Sequence, residues 1–299
     1  MAGSPPEAAD RARFGARAAA GDLDAIVRDL MGGVHHGRPG RPTAVKREAV
    51  RALRAAGDAA RRLAWGRALA RRPEYVAREV ACALLDESWP AKRALLEPLL
   101  LALADDPDWE VRECAAGLFA RALERDFEAT RALLADWTRH PSENVRRAVA
   151  LAAKSAALDR DLARAGPLLD LLEPLLADPS AYVKKNLGPF AIGDGLLRCH
   201  PGPTLARLRR CARSPDATVR WNVAAAFGAA AAARHVDAGL SILGDLAADD
   251  RPAVRRAVIS ALKKLLGREP ERVRAALERW RDQDAGRAAV AGRALAGRR

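Results

Sequence analysis

Along most of this chain apolar residues return every three or four positions, in blocks separated by short polar turns that carry proline. That spacing predicts amphipathic α-helices, because residues three and four apart share one helical face. The blocks are also copies of one another. Five segments align: DDPDWEVRECAAGLFARAL, RHPSENVRRAVALAAKSAA, ADPSAYVKKNLGPFAIGDG, RSPDATVRWNVAAAFGAAA and ADDRPAVRRAVISALKKLL. Each has a polar turn, a valine, mostly basic residues and then an Ala-rich helix. Two looser copies, RPTAVKREAVRALRA and RRPEYVAREVACALL, precede them. In the third copy Val111, Cys114, Ala115, Leu118 and Phe119 fall at 0, 3, 4, 7 and 8 from the valine, which predicts one face turned into a core.

The anchoring valines, Val45, Val76, Val111, Val145, Val183, Val219 and Val254, are 31, 35, 34, 38, 36 and 35 residues apart. A unit of that length holds two antiparallel helices and two turns. The first helix of a unit is visible in AKRALLEPLLLALAD ahead of Val111 and in FEATRALLADWTRH ahead of Val145. Pro73, Pro107, Pro141, Pro179 and Pro215 stand in the turns, where a missing N–H costs least. The expected architecture is all-α, a right-handed α-solenoid of about seven HEAT-like helical repeats with a concave basic groove. Residues 21–282 form the repeat domain in this reading. Residues 1–20 are an N-terminal cap or frayed segment, and residues 283–299 a C-terminal cap and basic tail that frays at GRALAGRR.

Composition narrows the partners. In 299 residues, 51 Lys+Arg stand against 38 Asp+Glu, a formal net charge of +13. Hydrophobic residues make up 49% and aromatics only 4%, so a globular core must be filled by Ala, Leu and Val. The longest apolar run, Val223 to Ala233, is 11 residues, too short for a membrane span of about 20. The start, MAGSPPEAADRARF, has no secretory apolar stretch, and the expected location is cytoplasmic, in the bacterial cytoplasm or nucleoid. Cys82, Cys114, Cys199 and Cys211 form no CxxC pair and read as reduced thiols in helices. The partner expected of such a surface is a polyanion, nucleic acid first.

The two positions after each valine carry the charge. The first set is Lys46, Ala77, Arg112, Arg146, Lys184, Arg220 and Arg255; the second is Arg47, Arg78, Glu113, Arg147, Lys185, Trp221 and Arg256. Eleven of these fourteen are basic, a recurrence that suits a phosphate backbone. For the first set, packing and turn pairing is an equal alternative; the second, outward set is expected to meet the ligand. Glu113 stands in it as a lone carboxylate, and Trp109, four residues earlier, lies on the same exposed face. Ala116 and Gly117 beyond them would leave room for a ligand. Glu113 is then either a counter-ion for Arg112 or Arg147, or a charge placed to stabilise a developing cation. In the fifth copy Gly188, Pro189, Gly193 and Gly195 predict a helix kinked or ended early, and Asp194 is a weaker carboxylate candidate.

These residues resemble the HEAT-like-repeat DNA glycosylases of the AlkC and AlkD type, the DNA alkylation repair family, over about residues 105–200. In that family a tryptophan is followed four residues later by an acid, as in Trp109 and Glu113. An arginine follows the next anchor, matched by Arg146 or Arg147, and Lys185, Gly188 and Phe190 match part of a further motif. Glu113 replaces the usual aspartate of the AlkD type, and the second cleft aromatic falls on Pro189. In an AlkC-type alignment, on SENVRR, the catalytic acid falls on Asp108. The resemblance implies release of N3- or N7-alkylated purines from damaged double-stranded DNA by a monomer, leaving an abasic site without metal or other cofactor. Glu113, Trp109 and Asp108 are its implied catalytic residues. Arg47, Arg78, Arg112, Arg146, Arg147, Lys184, Lys185, Arg220, Trp221 and Arg256 are the candidate DNA ligands.

Other chemistries have little support. His35, His36, His140, His200 and His235 show no metal-ligand spacing, and the His35–His36 pair is expected to be solvent-exposed in its Gly-rich loop. GDG at 193–195 lacks the strand of a nucleotide loop, and no Ser, His and Asp arrangement stands out. The alternatives to a glycosylase are a non-catalytic HEAT-repeat DNA-binding protein and a protein-interaction scaffold.

Overall fold

The computed structural model describes residues 8–89 and 91–296. Among these residues the fold is all-α apart from one two-stranded hairpin. The chain falls into two compact units, 1–130 and 131–299.

The first unit holds α1 (Ala8–Ala20), α2 (Leu23–Met31), the hairpin β1 (Val34–His35) and β2 (Arg38–Pro39), α3 (Thr43–Ala56), α4 (Ala59–Leu69), α5 (Tyr75–Leu85), α6 (Arg93–Ala104) and α7 (Trp109–Arg125). Helices α1, α3, α5 and α7 pack side by side in that order, and α4 and α6 lie against this row. This is the repeat the sequence predicts: two helices per unit, with the second helices as mutual neighbours. The interior is largely aliphatic, as the composition requires, with Val76, Val80, Leu100, Val111 and Leu118 buried around the aromatic rings of Phe14, Trp89 and Phe119.

Helix α8 (Phe127–Trp137) carries the chain between the units. The second unit contains α9 (Glu143–Ala156), α10 (Leu162–Leu172), α11 (Ala181–Asn186) continuing into a π-helix (Leu187–Leu197), α12 (Pro201–Cys211), α13 (Ala217–Ala226), α14 (Val236–Ala247), α15 (Pro252–Leu266), α16 (Pro270–Arg281) and α17 (Ala285–Leu295). Again two rows form: α9, α11 with its π-helix, α13, α15 and α17 in one, and α10, α12, α14 and α16 in the other.

The turn chemistry explains where helices begin. The turn prolines sit one residue before each cap, and Asp108, Ser142, Ser180 and Asp216 cap α7, α9, α11 and α13 by accepting backbone N–H groups. One expectation is sharpened and another corrected. The α-helix of the fifth copy ends early, at Asn186, as expected, but the chain does not leave helical structure there; it widens into a π-helix of 11 residues. A Cβ on Gly193 would stand 2.4 Å from Ala229 Cβ and 2.6 Å from Ala226 O, so glycine permits the close approach of the π-helix to the end of α13, its neighbour in the same row. The stretch expected to fray is helical as far as Leu295, while 297–299 of the tail and 1–7 of the cap lie outside the described residues.

Candidate functional site at the start of α7

Helix α7 begins at Trp109 because Asp108 caps it, accepting from the Glu110 N–H at 2.9 Å. Asp108 is also held by the Arg38 guanidinium, with Nη2 3.1 Å from Oδ1 and a second, shorter contact. Burial pushes its carboxyl up, but Arg38 and the helix-start N–H groups outweigh burial and hold it below the usual carboxylate range. Both oxygens are therefore engaged in capping and docking, the roles that fix the hairpin to α7. Arg38 further stacks on Tyr75, 3.8 Å from the ring centroid, and Tyr75 Oη donates to Pro39 O at 3.0 Å.

Trp109 and Glu113 are both exposed, one turn apart on α7, on the face expected for them. The small residues beyond divide: Gly117 opens onto a cavity, whereas Ala116 is buried and offers no room to a ligand. The cavity, about 600 Å³, is walled by α3, α5 and α7. Lys46, Arg47, Arg51, Arg54 and Arg121 bring positive charge to it, and Glu79, Asp86 and Glu113 negative charge. Cys82 and Cys114 complete the wall as free thiols, and burial pushes the Cys114 thiol up to about 12, so it is inert at neutral pH.

Beneath the cavity Lys46 is enclosed between two buried carboxylates, 2.6 Å from Glu79 and 2.9 Å from Glu110. Burial raises the Glu79 carboxyl to about 7 against the opposing pull of Lys46. Burial acts the same way on Glu110, but there the Lys46 ammonium prevails and the carboxyl stays below its ordinary range. Glu113 is thus not a lone carboxylate, because Glu79 joins it in the wall from the adjacent helix.

The valine register explains why Glu79 was missed. Arg112, Arg146 and Arg220 each donate to the carbonyls five and six residues earlier in their own turns. Arg78 does the same to Arg72 O and Pro73 O, so it is the equivalent of Arg112, and Ala77 rather than Val76 is the equivalent of Val111. Counted from the turn proline, Glu79 and Glu113 both fall at the sixth position. The proline, which the turn geometry fixes, was the better ruler.

Several basic residues of the two sets are engaged within the fold. Arg78, Arg146 and Arg220 grip Asp106, Asp178 and Asp249 of the following turn at 2.6, 2.6 and 2.5 Å, and their side chains are largely buried. They fasten one repeat to the next, the pairing alternative that the sequence left open for Arg146 and Arg220. Arg112 holds its own turn, and Arg147 is buried with its guanidinium 4.8 Å from the Tyr182 ring centroid. Lys184 lies 5.4 Å from the ring centroid of Trp221. Arg47, Lys185 and Arg256 remain exposed, and no ion pair among the described residues involves them.

The hairpin adds residues that spacing did not flag. His36 stands with its ring centroid 6.2 Å from that of Trp109, edge to face, and His35 is half-buried rather than solvent-exposed. Burial and the neighbouring His36 push the His35 imidazole below its ordinary value. Among the described residues no helix is long and apolar enough to cross a membrane.

Fold and site together define a helical-repeat protein whose second helices present a charged cavity beside an exposed tryptophan and carboxylate. Residues 39–190, just over half of the chain, match the family described as DNA alkylation repair enzyme, and the chain belongs to that family. No curated protein matches it. Solved structures that resemble it include E. coli YibA, at 17% identity over 98% of this chain and 99% of that one, TM-score 0.41. A chain of the Kap95p–RanGDP structure matches at 12% identity over 95% of this chain and 41% of its own length, TM-score 0.46. Importin beta matches at 14% over 95% and 42%, TM-score 0.43.

Proposed function

We propose that this protein is a monofunctional DNA glycosylase that releases N3- or N7-alkylated purines from duplex DNA, with Glu113 as the catalytic carboxylate. The observation that carries the reading is the pairing on α7: Glu113 in the wall of the cationic cavity, and Trp109 exposed one turn before it, inside the family-matched segment. An alkylated purine already bears positive charge. When its bond to C1′ breaks, the electron pair leaves with the base, which departs neutral, and the sugar becomes an oxocarbenium ion. A carboxylate held beside C1′ stabilises that cation, and each 1.4 kcal/mol or so it contributes is about tenfold in rate. Water then adds to C1′ and loses its proton, leaving the abasic site. Trp109 would pack against the deoxyribose, and Arg47, Lys185 and Arg256 would hold phosphates.

Asp108 is the weaker candidate because Arg38 and the α7 backbone occupy its oxygens. Incubating the protein with methylated duplex DNA and measuring free 7-methylguanine and 3-methyladenine tests the assignment. Glu113→Gln is expected to lower release at least about tenfold with DNA binding retained. Loss of release in Asp108→Asn, with Glu113→Gln active, would transfer the role to Asp108. Tight DNA binding by a wild type that frees no base would make the protein a non-catalytic DNA binder.

A further inference from the structure

The hairpin and the start of α7 bring three metal-ligating side chains to one place. β1 and β2 are joined by His36 and Gly37, both in the left-handed region at φ 52° and 76°, as a two-residue type I′ turn requires. Consecutive strand residues ordinarily point to opposite faces, but the positive φ of His36 breaks that alternation, and the two imidazole centroids lie 4.0 Å apart. Glu110, in the first turn of α7, reaches the same place. One nitrogen from each imidazole and one Glu110 carboxylate oxygen all lie within 4.8 Å of one another.

A further observation points to a cation. Glu110 is 7% exposed; its Oε2 faces Lys46 and Arg38, at 2.9 and 3.3 Å, while its Oε1 is buried with no hydrogen-bond partner. Buried carboxylate oxygens are costly to leave unsatisfied.

We propose that His35, His36 and Glu110 form a binding site for one divalent transition-metal ion of zinc's class. Two imidazoles and a carboxylate suit such an ion and leave a position for water. The ion ties the hairpin to α7 and fixes His36 against Trp109. The inference is independent of base release, because uptake is measured without DNA.

Calorimetric titration of the chelator-treated full-length protein with Zn²⁺ is expected to show one ion bound per chain. Co²⁺ in its place is expected to give the visible bands of a low-coordinate site and to quench tryptophan emission, with the quench diminished in Trp109→Phe. His35→Ala and His36→Ala each weaken Zn²⁺ binding at least about tenfold. Neither side chain belongs to the buried core, and far-UV circular dichroism checks that the variants fold. Absence of stoichiometric uptake by wild type, or uptake unchanged in the double histidine variant, overturns the proposal.

Discussion

A lysine ammonium closed between two carboxylates makes Lys46 a residue on which the fold depends. Its side chain and those of Glu79 and Glu110 are all under one-tenth exposed, so removing the cation takes the ion-pair partner from two largely buried carboxyl groups. Lys46→Met is expected to cost about 3–5 kcal/mol in urea unfolding, because it leaves buried charge without a partner. The same three groups set a pH dependence. Burial holds the Glu79 carboxyl at about 7, above its ordinary 4.5, so the folded state binds this proton more tightly than the unfolded chain does. Its contribution to stability is therefore present below pH 4.5 and lost as pH rises to about 7. Urea midpoints of wild type should fall across that interval relative to Glu79→Gln, which has no proton to lose; parallel profiles would show that Glu79 does not titrate there. Sequence left packing open as an alternative for Lys46, but its partners Glu79 and Glu110 were not legible. A charged residue at the edge of an apolar stripe reads as solvated, and only the packing of α3, α5 and α7 encloses Lys46.

Among the elements, the π-helix is the one whose form rests on missing side chains. Gly193 faces backbone as well as Ala229, so a methyl group there cannot be accommodated by rotating a neighbour. Gly193→Ala is expected to destabilise by about 1–3 kcal/mol through overpacking. Gly202, in α12, has nothing within 4 Å of an added Cβ, and Gly202→Ala should stabilise by about 0.5–1 kcal/mol. Thermal unfolding of the two variants side by side separates close packing from a generic effect of glycine; equal shifts would sink the distinction. The helical pairs were legible because each repeats its apolar period and its turn proline. The hairpin was not, since two strands of two residues carry no periodicity, and with it went the approach of His35 and His36 to Glu110. The π-helix was legible only as a local breach of helical rules at Gly188, Pro189 and Gly193; its continuation depends on partners from α9 and α13.

For the whole molecule, the count of 51 Lys+Arg overstates the cations that DNA can meet. Arg78, Arg146 and Arg220 spend their charge on Asp106, Asp178 and Asp249, and Lys46 spends its own on Glu79 and Glu110. Exposed cations outside such pairs, Arg47, Lys185 and Arg256 among them, are the ones able to displace counterions from phosphate. Each phosphate neutralised contributes about 0.9 to the slope of log K against log salt. The triple variant Arg47→Gln, Lys185→Gln, Arg256→Gln is therefore expected to bind duplex DNA with a slope shallower by roughly 2 to 3. Arg78→Gln and Arg220→Gln should lower the unfolding midpoint and leave the slope of the folded protein unchanged. A slope that moved with Arg78 and Arg220 instead would mean that the inter-repeat fastenings open on binding and that the repeats, rather than the exposed cations, supply the phosphate ligands.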